Sequence, residues 1–112
     1  MDNNEFWLAI DKLVTSSNIV IDRAKGSSHP KYPDVIYPVD YGYIEGTTSA
    51  DGDGIDVWCG SSGTEIDAII CTVDSLKKDS EIKILIGCNE KEKEQIYSMM
   101  NKNGLCGIML RR

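Results

Sequence analysis

Two short runs of alternating residues constrain this chain most. Over 65–73, Ile66, Ala68 and Ile70 fall on one side of an extended backbone and Ile69, Cys71 and Val73 on the other. Over 81–87, Ile82, Ile84 and Ile86 face one way, while Glu81, Lys83 and Leu85 face the other. A period of two is the signature of a β-strand. The polar stretch between the runs, with Asp74, Lys77, Lys78 and Asp79, reads as the turn that joins them.

The remaining elements fall around this pair. Ile19–Arg23, Tyr41–Glu45 and Ile55–Cys59 are short and rich in β-branched or aromatic residues, so each reads as a strand. Residues 105–110 read as a last strand or a packed tail. Residues 3–16 carry Phe6, Ile10, Leu13 and Val14 at helical spacing, with Trp7 beside them and Asp2, Asn3 or Asn4 as the cap. Asn89 caps a second helix from Glu90 to about Asn101, with Ile96, Met99 and Met100 on its apolar side, and Gly104 ends it. Between 24 and 40, Pro30, Pro33 and Pro38 exclude a helix, yet Tyr32, Val35, Ile36 and Tyr37 can pack, so an ordered loop over the core is expected. The expected fold is α+β, mainly β, over one domain spanning 1–112. It is a small twisted sheet or barrel of about five strands, OB-like, with an N-terminal and a C-terminal helix packed outside.

Composition excludes several functions. The hydrophobic fraction of 41% is that of a globular protein rather than a disordered one. No apolar run reaches the roughly 20 residues that span a membrane. The net charge of −6 disfavours nucleic acid and anionic membranes. The acidic, polar start Met1-Asp2-Asn3-Asn4-Glu5 does not read as an export signal, which points to the cytoplasm. Cys59, Cys71, Cys88 and Cys106 lack zinc-ligand spacing and read as reduced, structural thiols.

The candidate chemistry lies in Asp51-Gly52-Asp53-Gly54-Ile55-Asp56. The glycines let the backbone turn tightly, and converging carboxylates need a cation, which hard divalent metals supply. A solvated turn is the plainer reading of the same composition. A helix–loop–helix calcium site is excluded, because the twelfth residue from Asp51 is Ser62 and from Asp53 is Thr64, where a Glu is required. A second polar group comprises Asp74, Asp79, Glu81 and Lys83. Arg23, Lys25, Lys31, Lys83 and Lys102 are the candidate cations for an anionic ligand, and Tyr37 and Tyr41 are candidate hydroxyl donors. His29, the one histidine, has no expected role.

Tyr37-Pro38-Val39-Asp40-Tyr41-Gly42-Tyr43-Ile44-Glu45-Gly46-Thr47, followed by Asp51-Gly52-Asp53-Gly54-Ile55-Asp56-Val57-Trp58, resembles the soluble, magnesium-dependent inorganic pyrophosphatases. The resemblance is best over 19–87. It implies metal binding by Asp51, Asp53, Asp56, Asp74 and Glu81. It implies catalytic roles for Asp53, which activates the attacking water, and for Tyr41. It implies phosphate contacts from Lys31, Tyr37, Lys83, Lys25 and Lys102, and places Asp22 where the family has a glutamate near the site. It further implies two or more Mg²⁺ (Mn²⁺ as a substitute), inorganic pyrophosphate as substrate and a homo-oligomer. Several positions depart from the family pattern. Asp40 replaces Asn, Gly54 replaces Pro, Ser75 replaces an acidic residue, and Asn101-Lys102 stands for Tyr-Lys. The Arg before the Tyr-Pro motif has no exact counterpart, and Lys31 is the expected stand-in. Hydrolysis of a nucleotide-derived phosphoanhydride, or a non-catalytic domain that binds metal or phosphate, are the alternative functions.

Overall fold

A computed structural model describes residues 3–112. Helix α1 spans Asn3–Thr15, and α2 spans Glu90–Met99. Six strands follow the order β1 (Ile19–Arg23), β2 (Asp40–Ile44), β3 (Ile55–Cys59), β4 (Ala68–Asp74), β5 (Asp79–Ile86) and β6 (Leu105–Arg111) along the chain. In the sheet they lie β1-β2-β3-β5-β4-β6. All neighbours are antiparallel except β3 and β5. The sheet is open and has one strand more than the five expected. Residues 105–111 are a strand paired over its full length with β4, rather than a tail.

The alternation read from the sequence sorts the core into two layers. On one face, Ile44, Val57, Ile69, Ile84 and Ile86 pack with Trp7 and Val14 of α1. On the other, Trp58, Ala68, Ile70 and Leu85 pack with Ile96, Met99 and Met100 of α2 and with Tyr37 and Val39 of the proline-rich loop. Two residues depart from the expected faces. Ile66 joins the α1 layer, not that of Ala68 and Ile70, because β4 begins only at Ala68 and alternation does not reach back past it. Phe6 is exposed, while Trp7 beside it is buried. Asp2, a suggested cap of α1, lies outside the described residues.

The 24–40 loop is ordered because its own backbone closes it. Gly26 donates to the Tyr37 carbonyl at 2.9 Å, Tyr37 to Ser27 at 2.9 Å, and His29 to Val35 at 2.8 Å. Ser28 and Ile36 form an isolated bridge within it. The prolines keep this arm from becoming a regular strand pair, but its polar groups are still satisfied. The arm carries Tyr37 and Val39 onto the α2 face of the sheet. No helix among the described residues is long and apolar enough to cross a membrane.

Candidate active site

The site forms on the α2 face because strand pairing stacks the right residues there. Tyr41 lies opposite Trp58, Tyr43 opposite Asp56, and Lys83 opposite Ile70. Glu81 and Lys83 share a face two residues apart, as their alternation requires. At the centre is the Lys83 ammonium. Its Nζ donates to Asp56 Oδ2 at 2.6 Å, to Tyr41 Oη at 2.8 Å and to Glu81 Oε2 at 2.9 Å. Burial alone would lower the Lys83 pKa, but Tyr41 and Asp56 outweigh it and raise the pKa above the ordinary lysine value. Burial holds the Tyr41 hydroxyl protonated, with its pKa above the usual tyrosine range.

The acidic loop joins this centre through Asp51. The Asp51 Oδ1 accepts from the Ser49 hydroxyl at 2.5 Å and from the Asp53 N–H at 2.9 Å. Its carboxylate also meets Glu81. The Ser49 hydroxyl, then Glu81 and the Asp53 N–H, pull the Asp51 pKa down to about 2. Burial and the Asp51 contact push Glu81 the other way. Two carboxyl groups in contact need a proton or a cation between them. Gly52 sits at φ +87°, which a side chain rarely adopts. A Cβ on Gly54 would lie 2.7 Å from the Tyr43 ring, so the departure from Pro lets that ring close against the loop.

Other expected residues stand apart. Asp53 is exposed, and its backbone carbonyl accepts from Ser49 at 2.7 Å. Asp74 shares the face of Thr72 and Glu81, yet its Oδ1 takes the N–H groups of Leu76 and Lys77 at 3.0 and 3.1 Å, holding the hairpin turn. Ser75 is exposed in that turn. Lys31 is exposed, with Nζ 5.7 Å from the Tyr32 ring rather than at Tyr37. Lys102 borders a cleft of about 340 Å³ together with Tyr37, Asp34 and Gln95. Lys25 donates its backbone N–H to Asp40 Oδ1 at 2.8 Å, which uses the acid that replaces the family's Asn. Asp22 is exposed on β1. Among the described residues, no three His, Cys, Asp or Glu side chains are grouped as a ready metal cage. The donor chemistry still fits a hard divalent ion, since Asp51, Asp56 and Glu81 offer carboxylate oxygens along one connected line.

Two further residues matter here: Arg23, named in the sequence only as one of the candidate cations, and His29, which had no expected role. Arg23, at the end of β1, donates through Nη1 to the Tyr37 hydroxyl. His29 accepts the N–H groups of Lys31 and Tyr32 on Nδ1 at 3.0 and 3.3 Å, so it caps the turn of the arm. Its ring lies parallel to Tyr37, with centroids 6.1 Å apart. Burial, then the charges of Arg23 and Lys31, lower its pKa and favour the neutral, accepting form. The signal for Arg23 was its place at a strand end among candidate cations. Which tyrosine it would meet depended on the path of the arm.

Comparison with known proteins bears on family and fold. The family described as Inorganic Pyrophosphatase matches residues 14–109. No curated protein matches the chain. Among solved structures, an inorganic phosphatase of Anaplasma phagocytophilum aligns with TM-score 0.58 at 16% identity, covering 83% of this chain and 81% of that one. The inorganic pyrophosphatase of Helicobacter pylori aligns with TM-score 0.57 at 13% identity and the same coverages, 83% and 81%. At these identities, the likeness establishes a shared fold.

Proposed function

The chain belongs to the inorganic pyrophosphatase family, and from that membership we propose that it hydrolyses inorganic pyrophosphate to two phosphates with Mg²⁺, using the Asp51–Glu81–Lys83–Asp56–Tyr41 line and Asp53. The observation that carries the reading is the Lys83 centre, where a buried cation, two carboxylates and a tyrosine hydroxyl from three different strands meet within 2.9 Å of one nitrogen.

Asp51, Asp56 and Glu81 would hold the divalent ions, with Asp74 and Asp53 as further donors at the loop ends. Bound there, the ions supply charge neutralisation for the substrate oxygens and make a water easier to deprotonate. The chain's own residues do the rest. Asp53, with its side chain free of hydrogen bonds among the described residues, takes or orients the proton of the attacking water. Lys83 stands as a fixed positive charge against the oxygens that gain charge as the bridging bond breaks. Tyr41 keeps its proton and orients Lys83. Lys31, Lys25, Lys102 and Tyr37 lie around the arm and the α2 end, where they can meet the phosphates.

Phosphate release from pyrophosphate in the presence of Mg²⁺ tests the reading. The wild type turns over, and Asp53→Asn falls by about 10²-fold or more with its circular dichroism unchanged. A folded Asp53→Asn protein with undiminished turnover contradicts Asp53 as the proton acceptor. A folded, magnesium-loaded wild type without turnover contradicts the function.

A further inference from the structure

The four cysteines carry free thiols, and strand pairing sorts them. On β4 and β6, Cys71 lies opposite Ile108 and Val73 opposite Cys106. Residues two apart on a strand share a face, so Cys71 and Cys106 are diagonal neighbours on one face of the sheet. The packing identifies that face. Cys71 packs against the core layer of α1. Leu105 and Met109 pack against the layer of α2, so alternation along β6 leaves Cys106 and Ile108 on the α1 side. Cys59 and Cys88 make no such pair, because Cys59 packs on the α1 layer and Cys88 lies in the α2 layer.

Cys71 and Cys106 also line one cleft, of about 660 Å³, between Ile10 and Leu13 of α1 and the sheet. Cys106 is exposed and Cys71 half-buried, so a solute can reach the pair. Diagonal neighbours on paired strands have Cα atoms about 7–8 Å apart. A disulfide needs a closer approach, below about 7 Å. An ion between the sulfurs, with two metal–sulfur bonds of about 2.3 Å, spans more than a direct sulfur–sulfur bond of about 2.0 Å. Glu81 also borders the cleft, but Lys83 holds its carboxylate at 2.9 Å. Among the described residues, no third His, Cys, Asp or Glu completes a metal cage with the two thiols. The ion must therefore be content with two sulfur ligands. Zn²⁺ takes four ligands, and Mg²⁺ and Ca²⁺ take oxygen. The soft ion that thiolates select, and that two of them satisfy, is Cu⁺.

We propose that Cys71 and Cys106 form a two-thiolate site for Cu⁺ on the α1 face, bridging β4 and β6. Two S–H bonds break and two Cu–S bonds form. Both protons pass to solvent, and no electron is transferred. The site is separate from the Lys83 centre and does not depend on the pyrophosphate-hydrolysing reading above.

Competition for Cu⁺ between the reduced full chain and the coloured chelator bicinchoninate, without oxygen, tests the site. The wild type withdraws one Cu⁺ per chain. Cys71→Ser and Cys106→Ser each weaken binding by about 10²-fold or more, since losing even a residue that only supports a ligand costs 10–100-fold. Cys59→Ser binds as the wild type does, because Cys59 is not a ligand. A reduced wild type that withdraws no Cu⁺ overturns the proposal, as does a folded Cys106→Ser protein that binds Cu⁺ as tightly as the wild type. If Cys71→Ser does not fold, the exposed Cys106→Ser decides alone. Zn²⁺ held by the same pair as tightly as Cu⁺ overturns the two-ligand geometry.

Discussion

Lys83 is the residue on which the centre of the site depends. It is nearly buried, and two carboxylates within 2.9 Å share its charge. Removing one member of a buried ionic group leaves the others uncompensated. Without metal, Lys83→Gln is expected to cost about 3 kcal/mol of stability, since Asp56 and Glu81 then face each other without a cation. A divalent ion bound by the same carboxylates would compensate, so the melting-temperature gap to wild type should narrow in excess MgCl₂. Thermal melts with and without Mg²⁺ check this. An unchanged gap would show that these carboxylates do not share a metal. The place of Lys83 beside Glu81 was legible from their alternation, whereas the contact of Arg23 with Tyr37 was not. A strand residue's own face is set by sequence position, but its partner across a loop is not.

The capping of α2 links the helix to the sheet. The Asn89 side chain accepts the Glu92 N–H at 2.9 Å, and the Glu92 carboxylate accepts the Asn89 N–H at 2.9 Å, which closes a capping box. Asn89 was readable as the cap. The second job of Glu92 was not, because it reaches across the fold to the Ser61 hydroxyl at 2.8 Å and to the Ser61 N–H. Burial pushes the Glu92 pKa up, but the Asn89 N–H and the two Ser61 donors outweigh it and hold the pKa below the usual carboxylate range. A carboxyl lowered on folding stabilises above its unfolded pKa and loses that contribution as pH falls through the folded value. Glu92→Gln should therefore cost about 1–2 kcal/mol at pH 7. The wild-type and mutant curves should converge as pH falls through the lowered Glu92 pKa. Denaturant melts across pH check it, and a gap constant from pH 7 to pH 3 would contradict the ionised role.

At the scale of the molecule, the open sheet leaves β6 as an edge. Exposed edges invite pairing with another chain. Asn101 covers this one. Its Nδ2 donates to the Gly107 carbonyl at 3.2 Å and to the Tyr97 carbonyl at 2.9 Å, and its Oδ1 accepts the Gly107 N–H at 2.9 Å. The side-chain amide stands in for one peptide of a seventh strand and ties the end of α2 to the sheet. The departure from the family's Tyr at this position thus has a structural use. Asn101→Ala is expected to lose about 2 kcal/mol. It should also associate at concentrations where wild type does not, as light scattering would show. Unchanged stability and scattering would mean that the edge needs no cover.

Alternation and capping are local, so the chain alone determined broadly where β1 to β5 run, which face the residues within those strands take, and where α2 begins. The Tyr-Pro and Asp-Gly-Asp segments also determined the family, because their joint spacing is a property of the chain. Tertiary structure decided what is non-local. It placed β6 beside β4 and put Ile66 in the other core layer. It turned Asp74 to its own hairpin and brought Arg23, rather than Lys31, to Tyr37. Each of these depends on how a loop travels between strands. That path is set by packing and by backbone hydrogen bonds between distant residues, which no period in the sequence encodes.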